Sequence, residues 1–498
     1  MMPMPARRVI AAFLFLATAC AARAAPEHTL SIHLAPRMAD GRVEAIEVSE
    51  TFDVAALPAG AVLLSLPIVT EAVPGVLHDP STMRARDAAG PLPLLRDDDP
   101  PDPTQMKQDH RWRTGRPTSG LVSVDYVARP RVVTPQTRPG ALKDVRSEGG
   151  GIHGSTKALF AAPQDGWPRK VSIAWDLAAL GTDARAVTSF GEGNVDVTLD
   201  AESLGLGYFM AGPWRKLAPD GDDGFQLYYL TPPGFDLAAA VRDVAATYRH
   251  ATALFDTERA PFRALMRTTE RFQGGGTGGR NSFMFGTVKG APPTPDAANN
   301  LLTHEALHNW IGSLPQGPEG LWFVEGATNY YTAILPYRIG RRTLAQVAAQ
   351  LGEWTTNYYA NPRRTMGDDA AAAAFWSDND AQLLPYSRGP LYIALVDARL
   401  RSASGGRERV DSLVRAMVHA IRRGEASEAL WMSLVTQALG ERGRRDFEDM
   451  KAGRMLDLPP ELFGPCFRRV AGPVRRAGVV QDGYTWVEAE TRPQDCGL

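Results

Sequence analysis

Between His28 and about Leu199, apolar and polar residues alternate in short runs: "HTLSIHLAP", "AVLLSLPIV", "GLVSVDYVA", "KVSIAWDL" and "NVDVTLD". Each is rich in Val and Ile and bounded by Gly, Pro or Asp, as half-buried strands joined by turns are. They predict an antiparallel, β-sandwich-like domain over residues 25–200. Within it, the acidic and proline-rich "RDDDPPDPTQ" at 96–105 reads as a solvated loop, because it lacks the ordered ligand spacing of a calcium site. From 201 to 340, strand patterns ("FQLYYLTP", "RALMRTTERF") mix with a helical one, "LAAAVRDVAATYRHATALF". After that the apolar period becomes helical. "TLAQVAAQLGEWTTNYY" opens on a Thr343/Gln346 capping box, and "GPLYIALVDARLR", "RVDSLVRAMVHAIRR" and "SEALWMSLVTQAL" follow. Residues 341–460 therefore read as a helical domain, and 461–498 as a short irregular or β tail.

Composition adds limits to this picture. The chain has 498 residues, enough for about three domains at the usual size. Hydrophobic residues at 44% and charged residues at 22% supply ordinary globular cores. Lys+Arg at 54 against Asp+Glu at 56 leaves no basic excess to call for nucleic acid or an anionic membrane. The N-terminus carries Arg7 and Arg8, an apolar run to Ala22, and Ala22-Arg23-Ala24 as a small-residue cleavage site. Residues 1–24 read as a signal peptide, too short in their apolar part to span a bilayer, so a periplasmic or secreted protein is expected. The alternative is a lipid anchor on Cys20, without the usual aliphatic residue at Ala17. With Cys20 removed, Cys466 and Cys496 remain, and an even pair in an oxidising compartment predicts one disulfide.

The candidate chemistry lies in "LLTHEALHNWIG" at 301–312. Thr294 as N-cap, Pro295 at the first helical position and Asp296 in the first turn predict a helix over 295–311. His304 and His308, four apart, then share one face and can reach one zinc ion, with Glu305 placed to act on the attacking water. With 9 His in the chain, chance matches to this pattern number on the order of 0.01. With sixteen residues between them, His308 is followed by Glu325 in the apolar "LWFVEGATNYY". A carboxylate there is costly to bury unless paired or metal-bound, so Glu325 completes a His-His-Glu set with one open position. Asn329, four residues on, is placed either to hold a ligand histidine by its second nitrogen or to serve as an ordinary helix polar residue.

The run "HEALHNWIG…LWFVEGATNYYT" resembles the glycyl aminopeptidase family of gluzincin zinc metallopeptidases, relatives of the aminopeptidase N family. "LLPYSRGPLYIALVDARLR" at 383–401 is similar to the family's Tyr-x-Lys-Gly segment, and "QGGGTGGRNSFMFG" at 273–286 falls where the family has its Gly-rich substrate strand. The resemblance implies an α+β multidomain protein: the β-sandwich-like domain, a thermolysin-like zinc catalytic domain over 201–340, and the helical domain. It implies one zinc per chain, a peptide or protein substrate, Tyr386 as donor to the developing oxyanion, and Gly274, Gly275, Gly276 and Gly278 as the substrate strand. Two departures matter. The spacing from His308 to Glu325 is shorter than in the aminopeptidase N pattern. The glutamate that holds the substrate's amino group in relatives is replaced by Gly278, leaving Glu270 or an acid of the β domain as candidate substitutes. Cleavage inside a peptide, or of blocked peptides, is thus an alternative to aminopeptidase action. A peptide-binding protein without turnover is the alternative of another class.

Overall fold

Alternation along Thr29–Ala39 places Leu30, Ile32 and Leu34 inward, and a two-residue turn at Asp40-Gly41 returns the chain as Arg42–Leu57. Both turn residues have positive φ (49° and 73°), the geometry an Asp-Gly hairpin favours. The long second strand escaped the sequence reading, although the Asp-Gly signal and the Val/Ile–Glu alternation mark it. The computed structural model describes residues 28–498 except 72, 79, 103–106, 135–136, 138–139, 222, 270–274, 280, 316–319 and 491–495. The proposed signal segment 1–24 and Cys20 therefore lie outside the described residues.

Thr29–Ala39 and Arg42–Leu57 sit in an eight-stranded sheet with Arg169–Trp175, Val195–Leu199 and Thr118–Arg129, among others. The pairings are antiparallel except that of Thr29–Ala39 with Arg169–Trp175, which is parallel. A smaller sheet built on Val62–Thr70 and Gln108–Thr114 packs against it, and one apolar cluster including Ile32, Val48, Phe52, Leu64, Trp112 and Val122 fills the space between. This is the layered β architecture the alternation implies.

The next sheet has the order Arg215–Leu217, Phe225–Tyr229, Phe262–Thr269, Ser282–Val288, Gly275–Gly279. Its three central strands run parallel, and Gly275–Gly279 closes one edge antiparallel to Ser282–Val288. Helices cover it: Leu237–Leu254, Pro295–Leu307, Leu321–Arg338, then Leu344–Tyr359, Asn379–Ser404, Asp411–Arg422 and Glu428–Lys451. The Thr343/Gln346 capping box is formed in both directions. Sheet and helices share one apolar cluster that reaches the tail, where Phe467–Arg476 and Val479–Glu488 form a hairpin. Cys466 and Cys496 lie at disulfide distance, with Cα atoms 5.0 Å apart. No helix among the described residues is long and apolar enough to cross a membrane.

A buried ionic cluster ties the β region to the sheet of Phe262–Thr269. Asp144 accepts from Arg267 Nη1 at 2.8 Å and Arg146 Nε at 2.8 Å, with Arg131 at 3.2 Å, and both Asp144 and Arg267 side chains are fully buried. Glu148 accepts from the Thr268 backbone N–H at 2.9 Å, and the Leu142 N–H donates to Thr277 Oγ1 at 2.9 Å. The second of these bonds fixes the 140–142 loop beside the Gly-rich edge strand.

Candidate active site

The histidine helix, Pro295–Leu307, starts as its sequence dictates. Thr294 accepts from the Ala297 N–H and Pro295 occupies the first turn. It ends at Leu307, not at 311. His308 caps it, and the N–H groups of Asn309 and Trp310 bond three residues back to Ala306 and Leu307, tightening the last turn. That tightening lets His308 Nδ1 reach the Ile311 carbonyl at 3.1 Å. His304 Nδ1 lies 3.0 Å from Asn329 Oδ1. With both Nδ1 atoms held, the two Nε2 atoms turn toward each other, 3.1 Å apart.

Glu325 stands on the glutamate helix, Leu321–Arg338, with Oε2 3.2 Å from His304 Nε2 and 3.6 Å from His308 Nε2. These three atoms can be tested against a metal. Ligands about 2.0–2.1 Å from a tetrahedral zinc are separated by roughly 3.3 Å along each edge, close to the separations seen. Glu325 Oε2 is moreover buried with no full hydrogen bond to satisfy it. The donor set fits zinc, and among the described residues it is the one His/Cys/Asp/Glu group with this geometry.

Electrostatics follow from crowding. Burial pushes Glu305 up, and the Glu325 carboxylate adds to this while the two imidazoles oppose it. For His308 burial acts downward but is outweighed by Glu325 and Glu305, which bring it to about 9. Burial would raise Glu325, yet the imidazoles hold it below the usual carboxylate range.

Tyr386 enters from the tyrosine helix, Asn379–Ser404, which runs through Pro385 and Pro390. The sequence pattern puts the helix at "GPLYIALVDARLR", from Gly389, after the Tyr segment; the structure starts it ten residues earlier, at Asn379. Here the missing N–H of Pro390 leaves the Tyr386 carbonyl without its intrahelical donor, and Asn329 Nδ2 supplies one at 3.1 Å. One amide thus bridges His304 and the Tyr386 backbone. Burial pushes the Tyr386 hydroxyl well above its ordinary value, with Glu325 and Glu305 adding to it, so it remains a neutral O–H donor. The tyrosine and glutamate helices touch where Gly389 meets Gly326: a Cβ on Gly326 would stand 2.6 Å from the Gly389 backbone. Arg388 points away from the cleft and donates to the Met366 carbonyl at 2.6 Å.

The edge strand forms the opposite wall. Gly276 lies against Glu305, where an added Cβ would be 2.4 Å from the carboxylate. Gly275 has φ +124°, and Gly278 faces open space. Gly274 and Glu270 lie outside the described residues. Gly275, Gly276 and Gly278 border one cleft of about 400 Å³ with His304, Glu305, His308, Glu325 and Tyr386, together with Glu71, Leu142, Phe375 and Trp376. The last four were missed. The aromatic pair after the Ala run at 370–374 was a usable signal for Phe375 and Trp376. Nothing local marks Glu71, which a turn of the β region delivers with φ 49°.

No family model matches the sequence, and no curated protein matches it. Solved structures share its fold. The aminopeptidase N family protein from Idiomarina loihiensis superimposes with a TM-score of 0.70 at 15% identity, over 91% of this chain and 81% of that one. An M1 zinc metallopeptidase mutant from Deinococcus radiodurans, bound to a Tyr-Ser-Ala substrate, gives 0.50 at 16% identity over 87% and 95%. Native yeast LTA4 hydrolase gives 0.52 at 14% identity over 87% and 69%. The chain has the multidomain α+β architecture of the M1 aminopeptidase-like gluzincins.

Proposed function

We propose that this protein is an exported zinc metallopeptidase that hydrolyses peptide bonds without requiring a free amino terminus. The observation that carries the reading is the convergence of His304, His308 and Glu325 at tetrahedral-edge spacing, with Glu305 and Tyr386 on the same cleft. His304, His308 and Glu325 would hold the ion. When bound, zinc polarises a carbonyl and lowers the pKa of water toward 7. Glu305 takes the proton of the attacking water and passes it to the leaving amine, a task its burial-raised pKa suits. The Tyr386 hydroxyl donates to the carbonyl oxygen as charge gathers there. The glycine strand offers backbone groups to an extended peptide, as an open sheet edge does. The Cys466–Cys496 pair fits an oxidising compartment.

Two features support tolerance of blocked substrates. Gly278 presents no side chain to the cleft, and the acid that the β region does bring, Glu71, is ion-paired with Lys143. A substrate ammonium would lose its hydration without gaining an unpaired carboxylate. The test compares free and N-acetylated peptides with wild type and Glu305→Gln, by mass spectrometry of the products and metal analysis of the protein. Expected are about one zinc per chain, comparable cutting of acetylated peptides, and loss of turnover in Glu305→Gln with zinc retained. Strict one-residue trimming that spares acetylated peptides would refute the tolerance. Full activity without metal would refute the mechanism.

A further inference from the structure

Behind the cleft lies a second, larger cavity of about 480 Å³, walled by the β region and the short segment Ala201–Gly205. Glu71 borders both spaces. The junction is at the far end of the edge strand. A Cβ on Gly279 would stand 2.5 Å from the Leu206 carbonyl, and Leu206 lines the second cavity. Nearby, the buried Tyr208 donates to the Gly278 carbonyl at 3.3 Å, and the carboxylates of Glu71 and Glu305 both act on its hydroxyl. Gly279 lies three positions along the strand from Gly276, which is at Glu305, so the chamber adjoins the cleft about 10 Å along the edge strand. It lies at the Gly278 end, where the resemblance seats the amino side of a substrate.

Three lysines line this chamber, and their pairing differs. Lys107 lies 3.5 Å from Asp109, and Lys143 is paired with Glu71. Lys157, on the short helix Thr156–Leu159, projects into the same space with no carboxylate among the described residues within ion-pair distance. The remaining acid of the lining, Glu202, is exposed at the rim. Burial pulls Lys157 down and Lys143 and Lys107 add to this, while the more distant Asp109 and Glu71 oppose it without outweighing it. The other two lysines each have a carboxylate at ion-pair distance, and Lys157 is the lysine of the lining that has none.

We propose that this chamber is a subsite for a carboxylate carried by the substrate on the amino side of the cleaved bond, with Lys157 as its counter-charge; the assignment rests on the peptidase reading above. A Glu or Asp side chain would bring such a group, and so would a dicarboxylic cap on the amino terminus. The test uses the zinc-loaded protein and acetylated peptides that differ only in Glu or Gln at the residue giving the cleaved carbonyl, or at the one before it. A succinyl-capped peptide beside its acetyl-capped twin distinguishes a terminal carboxylate from a side chain. One charge-assisted hydrogen bond predicts a kcat/KM ratio of Glu to Gln, or of succinyl to acetyl, of about tenfold or more. Lys157→Met should bring that ratio near one, and Lys157→Arg, which keeps the charge, should retain it. Zinc content and Tm report whether each variant folds. A ratio near one for every pair in wild type, or a preference that Lys157→Met leaves intact, overturns the proposal. If wild type cuts none of the peptides, the peptidase reading falls. The chamber is then judged by calorimetry on zinc-loaded Glu305→Gln, where tighter binding of the acidic peptide sustains it and equal Kd values overturn it.

Discussion

The Tyr386 ring lies 6.1 Å from the His304 ring, and its hydroxyl faces the same cleft as Glu305 and Glu325. A phenol held neutral there has one chemical property that phenylalanine lacks, a donor for developing negative charge. Tyr386→Phe should therefore lower kcat by on the order of 100-fold or more, with zinc content and Tm nearly unchanged. Equal losses of stability and activity would assign the residue to packing instead. At this scale the sequence was most readable where chemistry dictates spacing. Two histidines one helical turn apart, beside a carboxylate, have few other uses. Glu71 and Lys157 stayed hidden because their roles depend on which turn the β sheets carry to the cleft, and no local pattern encodes that.

Helices and strands put these residues within reach of each other, and close backbone approach sets the tolerance. Gly326 follows Glu325 directly, and Gly389 lies three residues beyond Tyr386, so the contact of their backbones fixes the separation between a proposed zinc ligand and the proposed acid donor. Gly326→Ala must push the two helices apart. We expect a cost of about 1–3 kcal/mol, as for overpacking generally. The fall in kcat should exceed what the lost stability explains, read by chemical denaturation alongside kinetics. The elements themselves followed their patterns: the alternating runs became strands, and the Thr294 and Thr343 caps began their helices. What failed were one whole strand, Arg42–Leu57, and several boundaries. The histidine helix stopped at Leu307 because a tightened turn satisfied its carbonyls, and the tyrosine helix continued through Pro390 because a side chain from another helix replaced the lost donor.

Across the whole molecule, the cleft exists because the β region is docked on the sheet that ends in Gly275–Gly279. Asp144 is central to that docking. Burial alone would raise it, but Arg267 and Arg146 outweigh burial and hold it at about 2. Its folded value lies below the unfolded value of about 3.9, so its contribution is present above that pH and is lost as pH falls through about 2. Asp144→Ala leaves buried guanidinium groups uncompensated and should cost about 3–5 kcal/mol at neutral pH. The difference between variant and wild type should shrink between pH 4 and 2, measured by unfolding across that range. A constant difference would place the stabilising charge elsewhere.

Pro390 weakens the tyrosine helix, and a designer seeking a sturdier protein would replace it with alanine. Such a change would restore the rung between residue 390 and the Tyr386 carbonyl. That carbonyl would then have a competitor for Asn329, whose other end steadies His304. The gain in helix strength would come with a looser imidazole and a less fixed phenol, so robustness and turnover pull this position in opposite directions. The proline marks a place where selection for activity would oppose selection for heat resistance.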